Sequence, residues 1–337
     1  MKKILVTGGL GYIGSHTVVD LLEHGFQVEI IDDLSNSNIS VLEGISNITK
    51  QTPTFHQVDL KDYEALQNAL ATQSFDGIIH FAAYKAVGES QNKPIEYYEN
   101  NLLGLLNLLK ITSEKNIPNL IFSSSCTVYG QADELPISEN APLKKPESVY
   151  GKTKQFGEEI IGDVANLGKL NAILLRYFNP IGAHPSAEIG ELPIGVPNNL
   201  IPYVTQTAAG IREKLFIWGN DYPTKDGTCI RDYIYVMDLA NAHTKAMQRL
   251  LTHQNETSVE IYNLGTGTGN TVLEVIETFE KINNVSVPYQ FAPRREGDIT
   301  AAWAKPTLAE EKLGWKAETS LETALQTTWN WQQKMTK

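Results

Sequence analysis

Cysteine is scarce in this chain. Cys126 and Cys229 are the only two in 337 residues, and neither sits in a CxxC pair or beside a histidine cluster. That spacing argues against a disulfide framework and against a zinc site, so no metal is expected. Positive charge is also short, with 28 Lys and Arg against 39 Asp and Glu and a net charge of −11. Nothing supplies a broad basic face to neutralise phosphates, which excludes nucleic acid as the expected partner. A few well-placed Arg or Lys residues would still serve an anionic small molecule. No apolar run approaches the roughly 18 residues needed to cross a bilayer. The N-terminus enters a strand pattern at once, without the architecture of a secretory leader. The expectation is a cytoplasmic protein with no membrane partner.

What is present is an ordinary globular balance. Apolar residues make up 42% and charged residues 20%, enough core for one large domain or two joined ones. The first half alternates β-rich runs with longer helical patterns. Strands are predicted at 4–7, 27–31, 54–58, 77–81, 120–123 and 172–175, and helices near 13–24, 62–72, 95–115 and 151–167. Several strands are nearly continuous apolar runs, as in a parallel sheet covered on both faces. This predicts an α/β fold with a doubly wound, Rossmann-like parallel sheet. Near Asn179-Pro180 the chain turns rich in Pro, Gly and Asn, with one helical pattern at 199–209. A strand at 233–236 and a helix at 238–251 read as a return to the first domain. A strand at 261–264 and a helix from Thr271 follow. The division predicted is 1–178 with about 232–258 for a cofactor domain, and 179–231 with 259–337 for a smaller α/β substrate domain.

Two local patterns carry the chemistry. The first is the glycine loop, Gly8-Gly9-Leu10-Gly11-Tyr12-Ile13-Gly14, between a predicted strand and a predicted helix. Glycines let the backbone turn tightly and approach a pyrophosphate, and the helix N-terminus offers free N–H groups to it. A lone glycine pattern is weak, but this strand–turn–helix setting is the confirming context. Asp32 ends the second strand, where a carboxylate can accept from an adenosine ribose and repel a 2′-phosphate. That favours NAD over NADP. Asp33 reads as a turn cap. Asp59, after the third strand, suits either the adenine amino group or a turn cap. Phe81-Ala82-Ala83 follows the fourth strand at the cofactor edge, and Lys85 lies within reach of a cofactor phosphate or ribose.

The second pattern is Tyr150-Gly151-Lys152-Thr153-Lys154. Tyr150 and Lys154 share a helix face about 6 Å apart. A free phenol has a pKa near 10, and a nearby ammonium together with a nicotinamide cation would lower it. Such a tyrosine can exchange a proton with a substrate hydroxyl. Taken alone, YxxxK fits an exposed amphipathic face. Its place after the fifth strand of a glycine-loop domain reverses that preference. Ser123-Ser124-Ser125 ends the fifth strand at the ligand-binding edge, and chemistry alone does not choose which serine would bond the substrate oxygen.

TGGxGYIGSH (7–16), HFAxxKAVGES (80–90), FSSSxTVYG (122–130), YGKTK (150–154), LRYFNPIGAHP (175–185), PNNLIPY (197–203), GNDYPTxDGTxIRDYI (219–234), YNLGTGxG (262–269) and FAPRREGD (291–298) span nearly the whole chain. Together they resemble the UDP-glucose 4-epimerase family of the extended short-chain dehydrogenases/reductases. The resemblance implies a tightly held NAD, a UDP-sugar substrate and a homodimer. It implies Tyr150, Lys154 and Ser125 as the catalytic group. For the cofactor it implies Gly8, Gly11, Tyr12, Ile13, Gly14, Asp32, Asn36, Asp59, Phe81, Lys85, Asn100 and Phe178, beside that same group. For the sugar nucleotide it implies Asn179, Asn199, Leu200, Phe216, Trp218, Arg231, Tyr233, Arg295, Asp298 and Ala302. Two Arg beside polar loops suit a diphosphate through charge-assisted bonds. For the dimer, the helices near 95–115 and 151–167 could pair with their copies.

The departures separate the readings. Cys126 and Thr127 stand where sugar-nucleotide 4,6-dehydratases carry an Asp-Glu pair, which disfavours elimination of water. A non-catalytic NAD-binding regulator would lack the Tyr150–Lys154 pair. Ala302 stands where some members of the family carry a bulky Tyr, which opens the question of N-acetylated sugars.

Overall fold

The computed structural model describes residues 1–295 and 298–336. Seven parallel strands make the central sheet: β1 (Lys3–Thr7), β2 (Gln27–Asp32), β3 (Thr54–Gln57), β4 (Gly77–His80), β5 (Asn119–Ser125), β6 (Asn171–Tyr177) and β7 (Val259–Leu264). Their spatial order is β3-β2-β1-β4-β5-β6-β7. The order reverses between β1 and β4, and the crevice at the carboxyl ends of such strands is where α/β folds bind ligands.

The apolar runs are explained by burial on both faces. Ile4 and Val6 of β1 join the core under the helices Tyr12–Glu23 and Val236–Leu251. Leu5, between them, joins the core on the other face with Leu105 and Leu108 of Gly104–Glu114 and Ile161 of Val149–Ala165. A third core lies off the sheet, where Val275, Ile276 and Phe279 of helix Val272–Asn283 meet Ala324 and Leu325 of helix Leu321–Thr336.

Two kinds of expectation need correction, the first on which sheet two strands join and the second on one helix. The run predicted at 261–264 for the second domain is β7, which begins at Val259 and pairs along β6 from Val259↔Ala172 to Leu264↔Tyr177. Residues 259–264 therefore complete the first sheet. The strand predicted at 233–236 is Tyr233–Tyr235, and it pairs with Asn179–Ile181 outside the central sheet. The second correction concerns 95–115, which is not one uniform helix. It runs as Pro94–Tyr98, a π-turn at Glu99–Leu103, then Gly104–Glu114. The widened turn carries Asn101, whose side chain accepts from Tyr84 N at 2.8 Å and donates to Thr153 Oγ1 at 2.9 Å. Such bulges recur at functional sites.

Candidate active site

The glycine turn leaves β1 at Thr7. Gly8 has φ +69°, and a Cβ there would stand 2.7 Å from Ala82 N, on the loop after β4. At Gly14 a side chain would collide with the Gly8 carbonyl. Gly11 N donates to Gly8 O at 3.1 Å, and among the described residues no side chain caps Gly11 at the helix start. The first-turn N–H groups of Tyr12–Glu23 thus stay open where no side chain can intrude, which fits a pyrophosphate. Ile13 packs against the adjoining core. Tyr12 turns away and donates from its hydroxyl to Gly182 O at 2.7 Å.

The buried Asp32 closes this corner. Its Oδ2 accepts from Leu10 N at 3.0 Å, and its Oδ1 accepts from Leu34 N at 3.0 Å and Ser37 Oγ at 2.7 Å. It therefore braces the glycine loop. Asn36 lies exposed in the same loop. Asp33 caps its turn, accepting from Ser35 N at 2.9 Å. Asp59 also caps a turn, accepting from Lys61 N at 2.9 Å. Phe81 lies against His243, with ring centroids 4.7 Å apart. Lys85 Nζ is 3.3 Å from Glu191 Oε1 and 5.8 Å from the Tyr12 ring centroid. Asn100 sits on the π-turn and donates to Asn101 Oδ1 at 3.1 Å.

The helix Val149–Ala165 starts at Ser148, whose hydroxyl accepts from Gly151 N at 3.0 Å. This cap aims Tyr150 and Lys154 at the end of β5. There the three serines, indistinguishable by chemistry, take three different partners. Ser124 Oγ donates to Glu158 Oε1 at 2.5 Å. Ser123 offers its carbonyl to Lys154 Nζ at 2.5 Å, and its hydroxyl holds down the pKa of the buried Tyr177. Ser125 is the serine that acts on Tyr150, lowering the phenol's pKa, and its oxygen also accepts from Thr127 Oγ1 at 3.0 Å.

The chain alone does not lower the Tyr150 pKa. Burial pushes the phenol up to about 12, and Ser125 only partly offsets this. Lys154 Nζ lies 5.8 Å from the Tyr150 ring centroid, and its own pKa is driven down to about 7 by burial, with Glu158 opposing. Desolvation disfavours both charged forms at once. The chain by itself therefore keeps the phenol protonated.

On the far side of the cleft, Asp298 lies between two guanidinium groups. Arg295 Nε donates to its Oδ2 at 3.1 Å, and Arg231 Nη2 is 3.8 Å from its Oδ1. Two cations against one carboxylate leave a net positive site, suited to a diphosphate. Arg295 also lies over the ring of Trp218, 5.8 Å from its centroid. Trp218 and Phe216 are exposed on the strand Leu215–Trp218, their centroids 6.4 Å apart, and offer a flat apolar face. Asn199 precedes the helix Leu200–Ala208 without a side-chain cap bond and donates to Glu191 Oε1 at 2.7 Å, so one carboxylate holds both Asn199 and Lys85. Leu200 and Tyr233 pack in the third core. Asn179 N donates to Asp232 O at 2.9 Å, at the start of the short Asn179–Ile181 strand. Phe178 and Ala302 lie together with Val128, Tyr129 and Cys126. Ala302 is 3% exposed and pairs in register with Arg231. Tyr84 packs on Tyr97 at 5.6 Å between centroids.

Four residues the sequence analysis did not single out belong to the surroundings of this site: Asn101, Glu158, Arg176 and Glu191. Glu158 had a signal, since it repeats the four-residue spacing of Tyr150 and Lys154. Glu191 and Arg176 had none.

A family model described as GDP-mannose 4,6 dehydratase matches residues 5–328. The UDP-glucose 4-epimerase of Bacillus subtilis (strain 168) is 48% identical over 330 residues, covering 98% of this chain and 96% of its own. Among solved structures, the UDP-glucose-4-epimerase of Stenotrophomonas maltophila, with bound NAD and formylated UDP-arabinopyranose, superposes with a TM-score of 0.96. That pair is 45% identical, with 100% of this chain and 99% of the other covered. The UDP-Glc/GlcNAc 4-epimerase of Campylobacter jejuni gives a TM-score of 0.85 at 34% identity, covering 99% and 100% of the two chains.

Proposed function

This chain belongs to the UDP-glucose 4-epimerase family of the extended short-chain dehydrogenases/reductases, and from that premise we propose how its residues divide the work. The reaction is NAD-dependent epimerisation at C4 of a UDP-hexose through a transient 4-keto sugar. Bound NAD would supply the acceptor and donor for the C4 hydride, and a positive nicotinamide ring beside Tyr150. Gly8, Gly11, Gly14 and the uncapped start of Tyr12–Glu23 would hold its pyrophosphate, and Asp32 its adenosine ribose. With a nicotinamide cation and the Lys154 ammonium beside it lowering the phenol's pKa, Tyr150 would take the proton of the sugar 4-hydroxyl and give it back to the same oxygen. Ser125 bonds that oxygen and steers it toward Tyr150. Lys154 supplies positive charge behind the phenol. Arg231 and Arg295 grip the diphosphate, which lets the keto sugar turn over between the two hydride transfers while it stays attached. Trp218 and Phe216 give the base an apolar face.

One observation carries this reading: Tyr150 and Lys154 share one helix face at the end of β5, with Lys154 Nζ 5.8 Å from the Tyr150 ring centroid and bonded to the Ser123 carbonyl. The test is to give the purified protein UDP-galactose alone. UDP-glucose should form with no added nucleotide, with a transient band near 340 nm and no NADH in solution. Dehydration products would support the 4,6-dehydratase reading, which Cys126 and Thr127 disfavour because neither is a carboxylate.

Three finer readings go with it. The buried methyl of Ala302, in place of a ring, supports acceptance of an N-acetyl group on C2. The exposed Ile95, Leu103, Leu106 and Phe156, on neighbouring helices, support a homodimer formed through that face. The two free cysteines support residence in the reducing cytoplasm. Among the described residues no helix is long and apolar enough to cross a membrane.

A further inference from the structure

Behind the reacting groups lies a polar cluster sealed from solvent. Glu158 is 7% exposed and Arg176 2%. The Glu158 carboxylate accepts from Arg176 Nε at 2.9 Å and Nη2 at 2.5 Å, and from Ser124 Oγ at 2.5 Å. Arg176 continues through Nη1 to the Tyr129 hydroxyl at 2.9 Å, and Tyr129 donates to Asn263 Oδ1 at 2.7 Å. A buried ion pair is weak evidence of stabilisation, because apolar residues of similar volume often serve as well. Its position is more telling. Tyr150, Lys154 and Glu158 recur every fourth residue along one helix, so they share a face. Two of them bond different members of Ser123–Ser125, Lys154 the Ser123 carbonyl and Glu158 the Ser124 hydroxyl, while Ser125 lowers the pKa of Tyr150.

We propose that Glu158, oriented by Arg176, is a positioning residue for the epimerisation: it locks the helix bearing Tyr150 and Lys154 in register with Ser123–Ser125 and sets a negative charge behind the Lys154 ammonium. The proposal rests on the reading of Tyr150, Ser125 and Lys154 as the reacting group.

The electrostatics around Lys154 agree. On its own helix the titratable neighbours are Tyr150 and Glu158. From β4 comes His80, which burial holds neutral with a pKa of about 3. From β6 come Arg176 and the raised phenol of Tyr177, and from the turn after β5 come Cys126 and Tyr129, both pushed up to about 12 by burial. Burial drives Lys154 toward neutrality, and Glu158 is the group that opposes it. Without that charge, Lys154 would lose its proton at a lower pH, and Tyr150 would lose the support of the ammonium.

The experiment follows kcat and KM for UDP-galactose from pH 6 to 10 in holoenzyme carrying Glu158→Gln, Glu158→Asp or Lys154→Met. Circular dichroism and bound NAD serve as the fold check. In Glu158→Gln the alkaline limb of kcat should move down by about one pH unit, which is roughly a tenfold loss above the limb, while KM stays near wild type. Glu158→Asp should restore the limb. If the Gln variant does not fold because Arg176 is left unpaired, Glu158→Gln with Arg176→Met carries the test, with the same shift expected. A pH profile that overlays wild type in whichever variant folds overturns the inference. If Lys154→Met leaves activity intact, the underlying reading of the site fails instead.

Discussion

Lys154 donates from its buried ammonium to the Ser123 carbonyl at 2.5 Å, and it stands 5.8 Å from the centre of the Tyr150 ring. The lysine is thus tied to the strand end and lies beside the phenol. Tyr150→Phe leaves this tie in place and removes only the hydroxyl. The variant should fold and retain NAD while turnover falls by about 10²–10⁴-fold, the usual worth of a general acid–base group. Epimerisation of UDP-galactose by Tyr150→Phe at the wild-type rate would show that the proton moves elsewhere.

Asp32 serves two ends, since it accepts from the Leu10 amide of the glycine loop and faces the place proposed for the ribose. Hydrogen bonds to a charged group are worth about 1.5–3 kcal/mol. Asp32→Ala should therefore retain NAD about 10–100-fold more weakly. The measurement is nucleotide released by denaturation, identified by mass spectrometry. Predominant NADP(H) in wild type, or full NAD occupancy in the variant, would refute the assignment.

Ala302 governs the prediction on substrate range. Wild type should interconvert UDP-GlcNAc and UDP-GalNAc as well as UDP-glucose and UDP-galactose. Ala302→Tyr should lower the ratio of N-acetylated to plain activity by about tenfold or more, since pocket fit is worth about 1–3 kcal/mol. Both pairs should be assayed with both proteins. An unchanged ratio removes Ala302 from the specificity argument.

Acid should destabilise the fold through its buried histidines. Burial lowers the pKa values of His16 and His80 to about 3 and that of His243 to about 4, from an ordinary 6.5. Between those values the unfolded chain binds more protons than the folded one. Stability from this source is full above about pH 6.5 and is lost as pH falls toward 4 and 3, by up to about 1.4 kcal/mol per pH unit for each histidine. His243→Gln should flatten the fall measured by urea unfolding between pH 6.5 and 5.5 by about 1 kcal/mol. A slope identical to wild type would count against a neutral buried His243.

The dimer reading places Leu106 and Phe156 on the contact face. Leu106→Asp with Phe156→Asp should yield a monomer by sedimentation equilibrium, with an unchanged far-ultraviolet spectrum. A wild-type protein that sediments as a monomer would dispose of the reading altogether.

Strands β1, β2, β4, β5 and β6 were legible because their apolar residues are buried on both faces, while the edge strand β3, with no buried residue, was legible only from its place in the alternation. The seventh was visible as a strand but not as a member of this sheet. Its partner β6 is set by tertiary pairing, and nothing local in Val259–Leu264 encodes that. The helix Ser40–Thr49 went unread, because its start carries no side-chain cap and Gly44 interrupts it. The Leu215–Trp218 strand was also missed, since its partner among the described residues is Tyr289–Ala292, far along the chain. In the site, the spacing of Tyr150 and Lys154 was readable as one helix face. The raised phenol was not, because desolvation is a property of the packed molecule. The division of labour among Ser123, Ser124 and Ser125 likewise depends on which neighbour each meets, and composition is silent on that.

The position of β7 has a consequence for how the chain can be made. A ribosome must translate residues 259–264 before β6 gains its last neighbour, so the sheet spends much of synthesis with that edge bare. Exposed edges template pairing with other chains. A fragment ending at residue 178 would carry the glycine loop and the Tyr150 helix yet end on this open border, and it should aggregate where the full-length chain does not.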